Sequence, residues 1–133
     1  GCLIIDDTFN SSPPSAVAAL GLLADLEGRK VAVLGDMLEL GTYERDGHLE
    51  VGSRAAEVVE ELVVVGPRAQ MIAEGAIGRG LPADHIRWAP DSDAAVDVVR
   101  DLLRPGDVML IKGSHAVQME RIVRVLTEAV SQA

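Results

Sequence analysis

The sequence predicts an α/β layer fold with a mostly parallel sheet of five strands. Three observations lead there: five short apolar runs that end in turn or polar residues, segments of helical apolar spacing between them, and the alternation of the two kinds along 133 residues. The runs are Cys2 to Ile5, Val31 to Leu34, Leu62 to Val65, Ile86 to Ala89 and Val108 to Ile111. Strands that are apolar throughout, rather than at every second residue, suit a parallel sheet covered on both faces.

Each helical segment has readable ends. Ser12 before Pro13-Pro14 offers an N-cap followed by proline at the first helical position, and Val17, Leu20, Leu23 and Ala24 form one stripe closed by Gly28. Leu49, Ala55, Ala56, Val59 and Leu62 predict a second helix, entered through a polar segment from Glu39 to His48. Pro67 starts a third around Met71 and Ile72. Asp91 or Ser92 caps a fourth carrying Val96, Val99, Leu102 and Leu103, and Pro105-Gly106-Asp107 turns the chain into the last strand. Met119, Ile122, Val123, Leu126 and Val130 give the fifth. Gly78 to Asp84 reads as a surface loop.

Composition excludes several classes of function. The formal charge is −9 and only Phe9, Tyr43 and Trp88 are aromatic, so the chain has neither a basic surface for phosphates nor a stacking platform for bases. Nucleic acid is not an expected partner. The single Cys2 forms no internal disulfide, no Cys/His pair has zinc spacing, and the longest apolar candidate, Ala16 to Ala24, is half a membrane span. The expected setting is therefore a reducing compartment, with no metal site and no membrane partner. The opening at Gly1 followed at once by an apolar run reads as a single domain cut from a longer chain.

In an open parallel sheet, ligands bind beyond the carboxyl ends of the strands. The polar residues concentrate there: Asp6, Asp7 and Asn10 after the first strand, Asp36 and Glu39 after the second, and Lys112, Ser114 and His115 after the fifth. Aspartates in such places also serve as helix caps, but a cap does not require a lysine directly after an apolar strand. The chain has no dinucleotide fingerprint and no phosphate loop, so unaided nucleotide hydrolysis is not expected. Val65-Gly66-Pro67 leaves no carboxylate after the third strand, which argues against a phosphate-accepting receiver domain. His48, in a polar helix start, reads as solvated; His85 reads as a surface residue; the four methionines read as core filling.

Four ordered segments carry a resemblance. Ile4-Ile5-Asp6-Asp7-Thr8-Phe9-Asn10-Ser11-Ser12-Pro13, Ala32-Val33-Leu34-Gly35-Asp36-Met37-Leu38-Glu39-Leu40-Gly41, His48 with Val51-Gly52, and Leu110-Ile111-Lys112-Gly113-Ser114 with Met119-Glu120 closely resemble the C-terminal domain of the Mur ligases. Within that superfamily they look like the branch that adds D-alanyl-D-alanine to UDP-N-acetylmuramoyl-tripeptide in peptidoglycan precursor synthesis, a bacterial cytoplasmic step. The resemblance implies a three-layer α/β/α Rossmann-like domain whose last strand lies between the first and second, with an antiparallel edge strand that this chain starts too late to contain. It also implies chemistry in which ATP converts a carboxylate to an acyl phosphate that the incoming amine attacks.

By the same resemblance, ATP and Mg2+ are held mainly by a central domain and the nucleotide-sugar by an N-terminal one. The present domain closes over ATP and orients the dipeptide. Asp7 would face ATP as the catalytic residue, and Asn10, Asp36, Met37, Glu39, Lys112, Ser114 and His115 would contact substrate. Phe9, Ser12 and His115-Ala116 depart from the family pattern, where Tyr, Asn and Arg-Gly are common. The alternatives are a stand-alone Rossmann-like small-molecule binding module and a domain of the related folate-polyglutamate ligases.

Overall fold

The structure is a computed structural model that describes residues 3–7, 12–113 and 119–132; the side chains of residues 3, 6, 7 and 127–132 lie outside the description. Five strands, β1 (Leu3–Asp7), β2 (Lys30–Gly35), β3 (Glu61–Val65), β4 (Ile86–Ala89) and β5 (Val108–Lys112), alternate with five helices. The helices are α1 (Pro13–Ala24), α2 (Glu44–Val58), α3 (Gln70–Arg79), α4 (Ser92–Leu102) and α5 (Met119–Gln132). All strand pairs are parallel, in the order β1-β5-β2-β3-β4. The last strand therefore lies between the first and second, as the family resemblance implies.

Crossover handedness explains the layers. Moving from β1 through β2 and β3 to β4, the chain steps in one direction across the sheet, and α1, α2 and α3 pack on one face with Ala32, Leu34, Leu62, Val64, Val108 and Leu110. The step from β4 back to β5 reverses direction, so a right-handed connection must place α4 on the opposite face. There α4 and α5 cover Val31, Val33, Val63, Val65, Met109 and Ile111. Both faces are dry, which is why the central strands are apolar at every position.

Local signals account for most boundaries. Ser12 caps α1 in a capping box with Ser15, with Pro13 and Pro14 in the first turn. Asp91, not Ser92, caps α4 by accepting the Ala94 amide at 2.9 Å. Other boundaries differ from expectation. β1 runs on through Asp6 and Asp7, because both pair in register with Ile111 and Lys112 of β5. The second helix begins at Glu44, behind a short 3-10 turn at Gly41–Tyr43, so half of the supposed polar entry is helical; it ends at Val58, leaving Val59 extended. The third helix continues through Gly78 to Arg79 and stops at left-handed Gly80, which narrows the predicted surface loop.

Helices α2 and α3 approach each other through glycine. A Cβ on Gly52 would lie 1.9 Å from the Ile72 carbonyl oxygen, and one on Gly75 would lie 2.2 Å from that of Leu49. The contact is backbone against backbone, and the ion pairs Arg45–Glu74 and Arg79–Glu57 bridge the same two helices at the surface. At the amino end of the sheet, the Arg29 guanidinium reaches Asp107 through Nε at 3.0 Å and Nη2 at 2.7 Å, the Leu102 carbonyl at 2.8 Å, and Glu61 at 3.7 Å. One side chain thus ties together the starts of β2, β3 and β5.

Two outcomes follow from this packing. Gly52→Ala forces two backbones apart and should cost at least about 2 kcal/mol in urea unfolding, the range of core overpacking. Arg29 holds the Asp107 carboxyl below its ordinary value, mainly through their hydrogen bond. That stabilisation is complete above the unfolded carboxyl value and is lost as pH falls through the folded one. Asp107→Ala should therefore destabilise by roughly 2–3 kcal/mol at pH 7, and denaturant titrations in acid should show the difference shrinking as the wild-type carboxyl takes its proton.

Candidate functional site at the mouth of the sheet

The crossover pattern also locates a crevice. The connection leaving β5 runs to the α5 face, whereas those leaving its neighbours β1 and β2 run to the α1–α3 face, so the chain parts on both sides of the β5 carboxyl end. Around that point stand Asp7, paired in register with Lys112, and the turn that begins at Gly35. A Cβ on Gly113 would lie 2.5 Å from Met119 Cγ and 3.1 Å from the Gly35 Cα, so the chain leaves β5 in close contact with the end of β2. Asn10, Ser114 and His115 lie outside the described residues, as does the Asp7 side chain.

Asp36 is the best-defined polar group here. It is 1% exposed, its Oδ1 accepts the Ala69 amide at 2.7 Å, and Arg68 lies 3.5 Å from Oδ2. Ala69 is the residue before α3, so the carboxylate meets the positive end of that helix. It rests on Gly66, where a Cβ would lie 2.6 Å from Oδ1 and where φ is +105°. Burial pushes the Asp36 carboxyl above its ordinary value, against the pull of the Ala69 amide and the Arg68 guanidinium. The geometry makes Asp36 an internal clamp between β2, β3 and α3, not a free substrate contact. Arg68 continues the link, with Nε 2.7 Å from Glu44 Oε1 at the start of α2. Beside it an open depression between the first turns of α2 and α3 is lined by Glu44, Pro67, Arg68, Gln70, Met71 and Glu74.

The next residues divide the expected site. Met37, a core-filling methionine by residue type and a substrate contact by the resemblance, has its side chain 1% exposed among the α1–α3 cluster. Glu39 is exposed and held at φ 62°, in the left-handed region that non-glycine residues rarely occupy. Lys112, 1% exposed, is buried at the end of β5, between β1 and β2. His48 is corrected from a solvated residue to a fully buried one. Its Nδ1 lies 2.6 Å from the Glu44 carbonyl and its Nε2 accepts the Met37 amide at 3.1 Å. A signal for it was present, since His48, Val51 and Ala55 share one helical stripe.

Comparison with known proteins identifies the family and matches the fold. Residues 1–115 match the family model described as Mur ligase, glutamate ligase domain. The chain belongs to this family. It is 35% identical to the UDP-N-acetylmuramoyl-tripeptide--D-alanyl-D-alanine ligase of Bacillus subtilis, over 97% of this chain and 29% of that protein. The Escherichia coli ligase of the same name is 34% identical over 95% of this chain and 27% of its own length. Among solved structures, MurF ligase from Thermotoga maritima in complex with ADP superposes with a TM-score of 0.80 at 29% identity, covering 99% of this chain and 29% of that one. MurF from Acinetobacter baumannii gives 0.83 at 33% identity, with 96% and 28% covered. The chain thus spans less than a third of the length of the relatives it matches.

The Asp36 clamp has a measurable signature. A folded value above the unfolded one means a contribution that favours folding in acid and is lost as pH rises through the folded value. Ionised Asp36 therefore costs stability at neutral pH. Asp36→Asn keeps an oxygen for the Ala69 amide and removes the charge, so its melting temperature at pH 7 should equal or exceed that of the wild type, with the two curves converging near pH 4.

Proposed function

We propose that this chain is the C-terminal domain of a three-domain, ATP-dependent bacterial cytoplasmic ligase that joins D-alanyl-D-alanine to UDP-N-acetylmuramoyl-tripeptide in peptidoglycan synthesis. The observation that carries the reading is the end-to-end match with ligases of that name, together with a sheet mouth where the resembling motifs meet. No helix among the described residues is long and apolar enough to cross a membrane.

The chemistry assigned to this domain is positional. An amine must be held against an activated carboxyl while water, a competing nucleophile, is kept out. Rigid strand ends supply that better than mobile loops, and closure of the domain over its neighbours would complete the site. In this reading Asp7 faces ATP, Ser114 and His115 with Asn10 and Glu39 border the dipeptide, and Lys112 and Asp36 support them from below. Among the described residues no three His, Cys, Asp or Glu side chains are grouped to hold a metal ion. The sequence also lacks a phosphate loop. By the family resemblance, ATP and Mg2+ belong to the central domain and the nucleotide-sugar to the N-terminal one.

Steady-state kinetics of the complete ligase test the assignment. Asp7→Ala should lower turnover roughly a hundredfold, the loss of one well-placed polar contact on the order of 2–4 kcal/mol. Ser114→Ala should raise KM for D-alanyl-D-alanine and leave that for the nucleotide-peptide unchanged. Lys112→Ala, acting on a fully buried side chain, should lower the melting temperature instead. Near-normal constants for both Asp7→Ala and Ser114→Ala would withdraw the site.

A further inference from the structure

The functional reading assigns His48 nothing, yet its ring is fully buried with both nitrogens engaged. A carbonyl can only accept, so Nδ1 carries the proton shared with Glu44; a backbone amide can only donate, so Nε2 is bare toward Met37. That single tautomer joins the first turn of α2 to the residue after Asp36. The Asp36 amide donates to the Val65 carbonyl at 3.2 Å, and its carboxylate accepts the Ala69 amide. Two successive residues are thus fastened in opposite directions, Asp36 toward β3 and α3, Met37 toward α2. The chain that leaves this double anchor carries Glu39 at φ 62° and then Gly41 at φ 60°, a turn that few backbones hold unaided.

We propose that His48 is a positioning residue whose neutral, Nδ1-protonated ring holds the Met37 amide and so fixes the Asp36–Leu40 turn against which the incoming amine is bound. The step from turn to amine rests on the function proposed above; the clamp itself does not. The charged groups around the ring are Asp36, which interacts with it electrostatically, Arg68 beyond Asp36, and Glu44 one turn earlier on the same helix. Helix α1 carries no ionisable side chain, and on α3 Glu74 and Arg79 are paired with Arg45 and Glu57 of α2.

Two experiments test this separately. In the 133-residue chain, ring-nitrogen NMR should show the Nδ1–H tautomer. In H48A the Met37, Leu38 and Glu39 amides should exchange about tenfold faster than in the wild type, while those of Val63 and Val64 keep their protection. H48Q, whose carbonyl can accept the Met37 amide, should keep the turn protected. An Nε2–H tautomer, or turn exchange unchanged in H48A, overturns the clamp whatever the enzyme does. In the complete ligase, H48A should raise KM for D-alanyl-D-alanine about fivefold or more with kcat and the KM for ATP little changed, and H48Q should recover most of the loss. Unchanged KM in H48A with the clamp demonstrated overturns its link to the amine. A complete protein that ligates no dipeptide refutes the proposed function, and the exchange measurements then decide the clamp alone.

Discussion

The arrangement of the sheet mouth depends on one buried carboxylate. Asp36 leaves β2 and lays its side chain on Gly66, at the end of the neighbouring strand, where only a residue without a Cβ leaves room. From there it receives the Ala69 amide and so sets where α3 begins, while Arg68 between them reaches on to Glu44 and the start of α2. Gly66 is equally committed: its amide donates to the Ala89 carbonyl at 2.9 Å, and its own carbonyl accepts the Trp88 indole N–H at 2.9 Å. Three strands and two helices are thereby indexed to one another by a single turn. The glycine contact between α2 and α3 transmits that register, because backbones in direct contact have no side-chain slack to absorb a shift.

The two ends of the sheet carry opposite kinds of charge. At the amino end, Arg29 and Asp107 meet in a fork with two short hydrogen bonds, and Asp107 sits below its ordinary value: ionisation there favours folding. At the carboxyl end, burial drives Asp36 the other way, and ionisation opposes folding. Asp36 thus fixes the geometry of its turn at a cost in stability when ionised, at the end of the sheet where the switch point beside β5 opens a crevice.

The sequence made strands and faces legible because a sheet covered on both sides leaves long apolar runs with little ambiguity. It was less informative where polar residues are buried. For His48, polarity at a helix start points to solvent, yet its spacing with Val51 and Ala55 puts it on the inner stripe of α2. Met37 follows Asp36 in the motif and so suggests a contact, whereas its residue type suggests core filling; its side chain packs in the core. The pairing of Asp7 with Lys112 was beyond periodicity altogether, since it requires the last strand to insert beside the first, which family resemblance implied and composition did not. Asp36 stands out in the sequence as a carboxylate just after a strand, but its partners, a helix amide and an arginine some thirty residues on, exist only in the folded chain.

The string from Gly35 to Gly41 shows how little of a recognisable motif needs to touch a ligand. Gly35 is packed by Gly113, Asp36 anchors β3 and α3, Met37 fills the core, and Leu40 lies against the site where a Cβ on Gly47 would come within 3.1 Å of it. Gly41 at φ 60° opens the turn into α2. Among these seven only Glu39 turns an exposed side chain outward, from a backbone conformation that its neighbours must impose. The buried and closely packed residues of the string thus set the backbone from which the Glu39 carboxylate projects, so most of the motif is spent on shaping one turn.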